Sequence, residues 1–449
     1  MGKYRSLTQK HRERILSALD YFWKNPETGY REWKTNAYLT KAFESLGYSL
    51  TQAGDIPGFV CEMDTGIPGP TVAVFGEMDA LIVPTHPEAD PETGAVHACG
   101  HHVQIAALLG LAAVLKEPEA LEGLCGKIRL CAVPAEELVE LEFRTELRKK
   151  GVIRYFGGKP EFMYRGLLDG VDMALMIHSA SGEGKTAFMN GGSNGCIVKN
   201  IEFRGVSSHA GGSPHLGVNA LYAANLALNA ANALRETFRD HEHIRFHPII
   251  TSGGDSVNAI PDSVKLESYV RGATMEEIVR VNRKINRAVA ASAAALGAQV
   301  HLTDSPGYWP RSYPEEAFAL TLKAGEAVFG SAKVSPSEWG TGCSDMGDVA
   351  SVMPALHPYV GGCRGTGHGS DYVVADPDRA AVGGTEFLMT YLALLLENGG
   401  AEAEKMVKNY RPVFASMQEY FDYTETITLD REAVEYREDG SVLLRFEAK

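Results

Sequence analysis

Apolar residues recur at helical spacing over residues 8–24, until Asn25-Pro26-Glu27-Thr28-Gly29-Tyr30 interrupts them with a turn. A second helix is predicted at about 34–47. Thr71-Val72-Ala73-Val74-Phe75 is a short unbroken apolar run, as expected of a strand buried on both faces. Further strands are predicted at 127–133 and 173–177, and a buried helix from His101 to about Lys116 precedes them. Strands alternating with helices predict an α/β fold, a mostly parallel sheet sandwiched by helices.

The pattern changes near Gly191-Gly192-Ser193. There it reads strand (195–205), helix (216–236), strand (245–251), strand (257–271), helix (274–297) and strand (298–303). This β-α-β-β-α-β order predicts an inserted ferredoxin-like α+β domain. Helices at 314–329 and 379–397 flank a Gly-rich region, 340–370, and a helix at about 401–419 precedes a polar, strand-like tail. The expected division is a main domain in two parts, 1–190 and 305–449 with a C-terminal extension, around an inserted domain at 191–304.

Composition narrows the class. The 449 residues are 45% hydrophobic and 22% charged, an ordinary globular profile. A net charge of −14 argues against a nucleic-acid partner, because phosphates require a basic face. No run approaches the ~20 apolar residues of a membrane span. Seven cysteines without paired spacing suit a reducing compartment, so the expected location is the cytoplasm.

Chemistry gathers where strands end. Gly76-Glu77-Met78-Asp79, Pro134-Ala135-Glu136-Glu137 and His178 each follow an apolar run directly. Ligands of open α/β sheets bind outside the carboxyl ends of the strands, so these groups can share one crevice. Cys99 and His101 enter the intervening helix and can reach the same place; both are good ligands for a divalent metal. Adjacent glutamates suit one metal ligand plus one base acting on an activated water. Asp79 is placed either to orient a histidine ligand or simply to shape a turn.

Together these residues resemble the amidohydrolase branch of the aminoacylase/carboxypeptidase metallopeptidases. Asn25-Pro26-Glu27-Thr28-Gly29-Tyr30 is similar to the family's HPELGF turn, and Gly76-Glu77-Met78-Asp79-Ala80-Leu81 to its ADMDAL. His97-Ala98-Cys99-Gly100-His101 and Pro134-Ala135-Glu136-Glu137 match HACGH and PAEE. Ser207-Ser208-His209-Ala210-Gly211 and Asn258-Ala259-Ile260-Pro261-Asp262 resemble its later motifs, in family order. The resemblance implies a pair of divalent ions (zinc or manganese, with cobalt also suited) on Cys99, His101, Glu137, His178 and His368. His357 is the alternative to His368. It further implies Glu136 as general base, His209 and Asn258 as oxyanion donors, the two-part domain as the catalytic one, and the insert as a lid or dimerisation domain that builds a homodimer, with His209 supplied across it. The implied substrate is a small N-acyl or aminoacyl amino acid, or a dipeptide-like amide.

Two departures stand out. His102 and Gln104 replace the family's usual Asp and second His, which places the change in tuning or substrate fit rather than in the ligands. The region 140–170 is longer than usual and carries Arg148-Lys149-Lys150; it reads as a solvated helix or loop, or as a cap on the substrate pocket. Other classes consistent with the residues are a family member that has lost turnover and binds metal in a regulatory role, and a thiol hydrolase using Cys99.

Overall fold

The computed structural model describes residues 2–182 and 184–447. They form two compact units. The first takes the chain up to Gly192, Arg311–Gly340 and Ser344–Met417; the second takes Ser193–Pro310, Thr341–Cys343 and the segment from Gln418.

The first unit is built on a six-stranded sheet in the order Thr51–Gln52, Phe59–Asp64, Lys127–Val133, Thr71–Glu77, Met173–Leu175, Ala355–Leu356. The last four strands run parallel, and the first two add antiparallel at one edge. Thr71–Glu77 is buried along its whole length, which accounts for its unbroken apolar run. The strand runs two residues beyond the predicted end, so Glu77 is its last residue. Helix His101–Val114 is buried on every side, a position that suits a helix apolar nearly all round. The helical stretch Asp378–Leu396 is long and apolar enough to cross a membrane by composition, yet nearly all of it is buried inside the fold, as in a core helix.

Elements near the site differ from the sequence reading in two places. The strand expected over 173–177 ends at Leu175, and His178 opens a separate strand, His178–Ser181, paired parallel to Tyr359–Arg364. The region 140–170 is not simply solvated. It forms helices Leu141–Lys149 and Gly158–Tyr164, and Arg144 and Lys159 are fully enclosed.

The second unit is an antiparallel sheet in the order Arg245–Phe246, Ser263–Gly272, Gly195–Arg204, Gln299–Pro306, Leu429–Glu432. Ile249–Ser252 also pairs with Ser263–Gly272. Helices Ala220–Ala233 and Met275–Ala295 complete the ferredoxin-like arrangement. The first starts later than predicted because Asn219 is its cap, accepting from the Tyr222 amide at 3.1 Å. The tail, expected with the catalytic part, instead supplies the edge strand Leu429–Glu432 of this sheet, pairing His301↔Glu432 through Asp304↔Leu429. The helix expected at 401–419 is two helices, Ala401–Asn409 and Met417–Thr426, separated by a segment holding Pro412, which cannot continue a helical hydrogen-bond ladder.

Candidate metal centre

Three chain reversals deliver the polar groups. After Lys127–Val133, Ala135 adopts φ 59°, and the turn presents Glu136 and Glu137 in succession. Gly100 caps helix His101–Val114 at φ 88°, and a Cβ there would lie 1.9 Å from Ser179 Oγ and 2.3 Å from Tyr372 Oη. Only glycine fits both the backbone and the space, so the Cys-Gly-His spacing is required locally. His368 has φ 66°, and its amide donates to Ala98 O at 2.9 Å, which ties the Gly-rich segment to the residue just before Cys99.

Second partners fix the histidine tautomers. His101 Nδ1 donates to Asp79 O at 2.9 Å and lies 3.1 Å from Asp79 Oδ1, which leaves Nε2 as the ring nitrogen facing the cluster. Asp79 Oδ2 accepts from the Glu137 amide at 2.7 Å, so one carboxylate orients two of the predicted groups. His178 Nδ1 donates to Ser179 O at 2.7 Å, and its Nε2 stands 3.4 Å from Cys99 Sγ. His368 Nε2 is 3.3 Å from Glu137 Oε1.

The donor atoms fall into three groups, each within 4.8 Å: Cys99 with His101 and His178, Cys99 with Glu137 and His368, and Glu77 with His101 and Glu136. Cys99 is common to the first two. His357 joins none of the groups found among the described residues. His101 Nε2 and Glu137 Oε1 are buried without a hydrogen-bond partner, an arrangement that suits cations received between them. Soft thiolate, imidazole and carboxylate donors together fit divalent ions.

Electrostatics points the same way. Burial, then the carboxylates of Glu77 and Glu137, push Glu136 well above the ordinary carboxyl range. Burial and Glu137 likewise raise the Cys99 thiol. Burial and His101 hold His178 neutral, lowering it to about 4. Burial alone would raise Glu77, but Lys159 and then His101 outweigh it and keep it below the usual range.

Lys159, Glu77 and Asp345 were not singled out from the sequence as site residues. Lys159 Nζ bonds both Glu77 Oε1 and Asp345 Oδ1 with no exposure to solvent. Glu77 Oε2 takes a further bond from Gln104 Nε2 at 2.7 Å and lies 3.1 Å from His101 Nε2. Glu77 sat in a recognised strand-end cluster, but nothing local marked its partners. Gln104, expected to affect either tuning or substrate fit, is occupied in holding Glu77 beside His101. His102 turns away from the cluster, packing 5.1 Å from the rings of both Trp23 and His97, and burial keeps it neutral. From the extended 140–170 region, Arg144 donates to the carbonyls of Glu137 and Phe156 and so braces the Glu136-Glu137 turn.

His209 and Asn258 lie in the second unit, on neighbouring segments joined by the Ala210 amide to Asn258 O bond of 2.9 Å. His209 Nδ1 accepts from the Gly211 and Gly212 amides at 3.1 and 2.9 Å, which leaves its Nε2 as a donor.

Comparison with known proteins agrees with this architecture. Residues 191–296 match the M20 peptidase dimerisation domain. The chain is 28% identical to one of the subunits of p-aminobenzoyl-glutamate hydrolase from Escherichia coli, over 64% of this chain and 56% of that protein, so it spans little more than half of that relative. It is 28% identical to the Xaa-Arg dipeptidase of Mus musculus, over 82% of this chain and 81% of the dipeptidase. A crystal structure of a dinuclear metal-binding peptidase of the M20 family from Bacillus subtilis shares the fold, with a TM-score of 0.63 at 20% identity over 86% of this chain and 98% of that one. The resemblance read from the sequence holds: the chain is related to the amidohydrolases and dipeptidases of this metallopeptidase family and carries the family's dimerisation domain.

Proposed function

We propose that this chain is a metal-dependent amidohydrolase cleaving the amide bond of a small N-acyl or aminoacyl amino acid, or of a dipeptide-like substrate. The observation that carries the reading is one cysteine shared by two three-donor groups, with Glu136 beside them. Cys99, His101 and His178, and Glu137 and His368 beside the same cysteine, would hold two divalent ions, whose chemistry would be Lewis acidity toward the carbonyl and toward water. The thiolate favours zinc; the carboxylate and imidazoles also accommodate manganese or cobalt.

Glu136 takes the proton of the attacking water and hands it to the leaving nitrogen. Its raised affinity for a proton suits both halves of that transfer. His209 Nε2–H and the Asn258 amide are the donors assigned to the developing oxyanion. Asp79 holds His101 and the Glu137 backbone in place. The second unit is assigned a homodimer contact. Ile249 and Ile250 are exposed on the strand paired to Ser263–Gly272, and Tyr222 and Leu226 are exposed on helix Ala220–Ala233. The opposite side of the sheet is already covered by Leu429–Glu432. All seven cysteines are free, which supports a cytoplasmic location.

Glu136→Gln is expected to retain bound metal, measured by elemental analysis, while losing about 10²–10⁴-fold in turnover on N-acyl amino acids. Full activity in that variant would overturn the assignment. Mixing inactive His209→Ala and Glu136→Gln subunits should restore activity in mixed dimers if His209 acts across the dimer; absence of rescue rejects that arrangement.

A further inference from the structure

Two thiols meet in the second unit, outside the proposed centre. Of the seven free cysteines, only Cys99 and Cys343 are partly exposed. Cys99 belongs to the centre; Cys343 belongs to none of the donor groups found among the described residues. Cys343 ends the irregular segment Thr341–Cys343, where Thr341 and Gly342 are exposed and a Cβ on Gly342 would meet nothing within 4 Å. Its Sγ donates to Gly195 O at 3.4 Å, and it hydrogen-bonds the thiol of Cys196, the next residue along. Cys196 is 1% exposed and is held on strand Gly195–Arg204, paired opposite Arg271, with its amide donating to Tyr308 O at 2.7 Å. A Cβ on Gly307 would lie 2.6 Å from the Cys196 sulfur, so a glycine leaves that sulfur its room.

Cys196 differs from the other buried thiols. Burial raises Cys61, Cys125, Cys131 and Cys363 above the usual thiol range. In Cys196 the bond with Cys343 outweighs burial and the Arg271 guanidinium adds to it, so this thiol is held below that range. The thiolate is the attacking form of sulfur, and an exposed thiol is the one an oxidant reaches. Here the two properties fall on different members of one pair: reach on Cys343, nucleophilicity on Cys196. That division is what stepwise closure of a disulfide requires.

We propose that Cys196 and Cys343 are a reversible oxidation site, in which hydrogen peroxide oxidises Cys343 and Cys196 then closes a disulfide onto it. In the first step the Cys343 sulfur attacks one peroxide oxygen; the O–O bond breaks, the sulfur becomes a sulfenic acid, and the second oxygen leaves as water. In the second step the Cys196 sulfur attacks the Cys343 sulfur. The S–S bond forms, the S–O bond breaks, and the departing hydroxide takes the Cys196 proton and leaves as water. Two thiols give up two electrons and two protons, and one peroxide becomes two waters. Cellular thiols reverse the bond, as befits a transient disulfide in a reducing compartment. It fastens the chain two residues before Asp345, which holds Lys159 beside Glu77, and does so without consuming Cys99.

The test treats the full-length, zinc-loaded protein with hydrogen peroxide, blocks the remaining thiols with N-ethylmaleimide and maps its peptides by mass spectrometry without reduction. The Cys196 and Cys343 peptides are expected to be joined, in a chain of monomer mass lighter by two hydrogens, and dithiothreitol should separate them. In Cys196→Ala, Cys343 should stop at the sulfenic acid and be trapped by dimedone. In Cys343→Ser, oxidation of Cys196 should slow by about 10-fold or more, because burial shields it from the peroxide. A wild type in which Cys343 stays unreacted, or runs on to the sulfinic acid with no join, would overturn the proposal. So would Cys343 joined to any other cysteine, or Cys196 oxidised at the wild-type rate in Cys343→Ser. If Cys196→Ala does not fold, the wild-type map and Cys343→Ser decide between these outcomes by themselves.

Discussion

Each unit of the protein encloses a lysine completely, and the two surroundings differ. In the second unit, Lys199 bonds Asp304 and the side-chain oxygens of Asn282 and Asn286, and both asparagines return bonds to Asp304 at 2.7 Å. One positive charge meets one negative charge, and none of these four side chains is left with an unpartnered atom. In the first unit, Lys159 faces Glu77 and Asp345 while Asp79, Glu136 and Glu137 are buried close by. One lysine there serves a strongly acidic pocket, in which His101 Nε2 and Glu137 Oε1 make no hydrogen bond although Glu77 lies 3.1 Å from the first and His368 3.3 Å from the second. A closed ion pair is a structural joint; a shortage of positive charge is a place for cations to bind.

Removing divalent ions should break this contrast most severely. Chelation is expected to abolish turnover and lower the melting temperature by several degrees, because ions bound only by the native state stabilise it by mass action. Added zinc or manganese should reverse both effects. Hydrogen exchange in Gly195–Arg204, the strand that carries Lys199, should hardly respond; equal loosening there would erase the distinction.

Next in size is replacement of each lysine. Lys159→Met and Lys199→Met should each cost about 3–5 kcal/mol in denaturant unfolding, as expected when one partner of a buried pair is removed. Only Lys159→Met should also weaken metal binding in a chelator competition, through the freed Glu77 beside His101. Equal metal affinity in both variants would show that the acidic pocket does not depend on its lysine.

Gln104→Leu is a milder probe. It removes the 2.7 Å bond to Glu77 and should cost about 1–3 kcal/mol, with metal still bound. The smallest effect concerns the tail. Burial lowers the His301 pKa, but its bonds to Asp430 at 2.6 Å and Glu432 at 2.8 Å outweigh that and raise it above 6.5. Stabilisation of the Leu429–Glu432 strand is therefore complete below pH 6.5 and fades as pH rises through the folded-state pKa. Protease cleavage near residue 430 should be faster at pH 8.5 than at pH 6, and His301→Gln should flatten the difference.

Much of the fold was legible because periodicity is a local property. The strand at 127–133 and the strand–helix order of the insert follow from runs of a few residues. The strand-end clusters were legible for the same reason. Lys159 and Asp345 were not, because one comes from a seven-residue helix and the other from a Gly-rich loop, and only tertiary packing makes them partners. His102 misled through its position: it adjoins a proposed ligand in sequence, yet successive helical side chains point about 100° apart, and it faces Trp23 instead.

The strand Leu429–Glu432 also bears on how the protein is made. Its partner Gln299–Pro306 leaves the ribosome more than a hundred residues earlier, which at ordinary elongation rates is roughly ten seconds. For that interval the newborn sheet shows an unpaired flank to every neighbouring nascent chain, the kind of surface that seeds aggregation. The final strand thus works as a late seal. A chain shortened before residue 429 would keep every group of the proposed centre and still be exposed to clumping during synthesis.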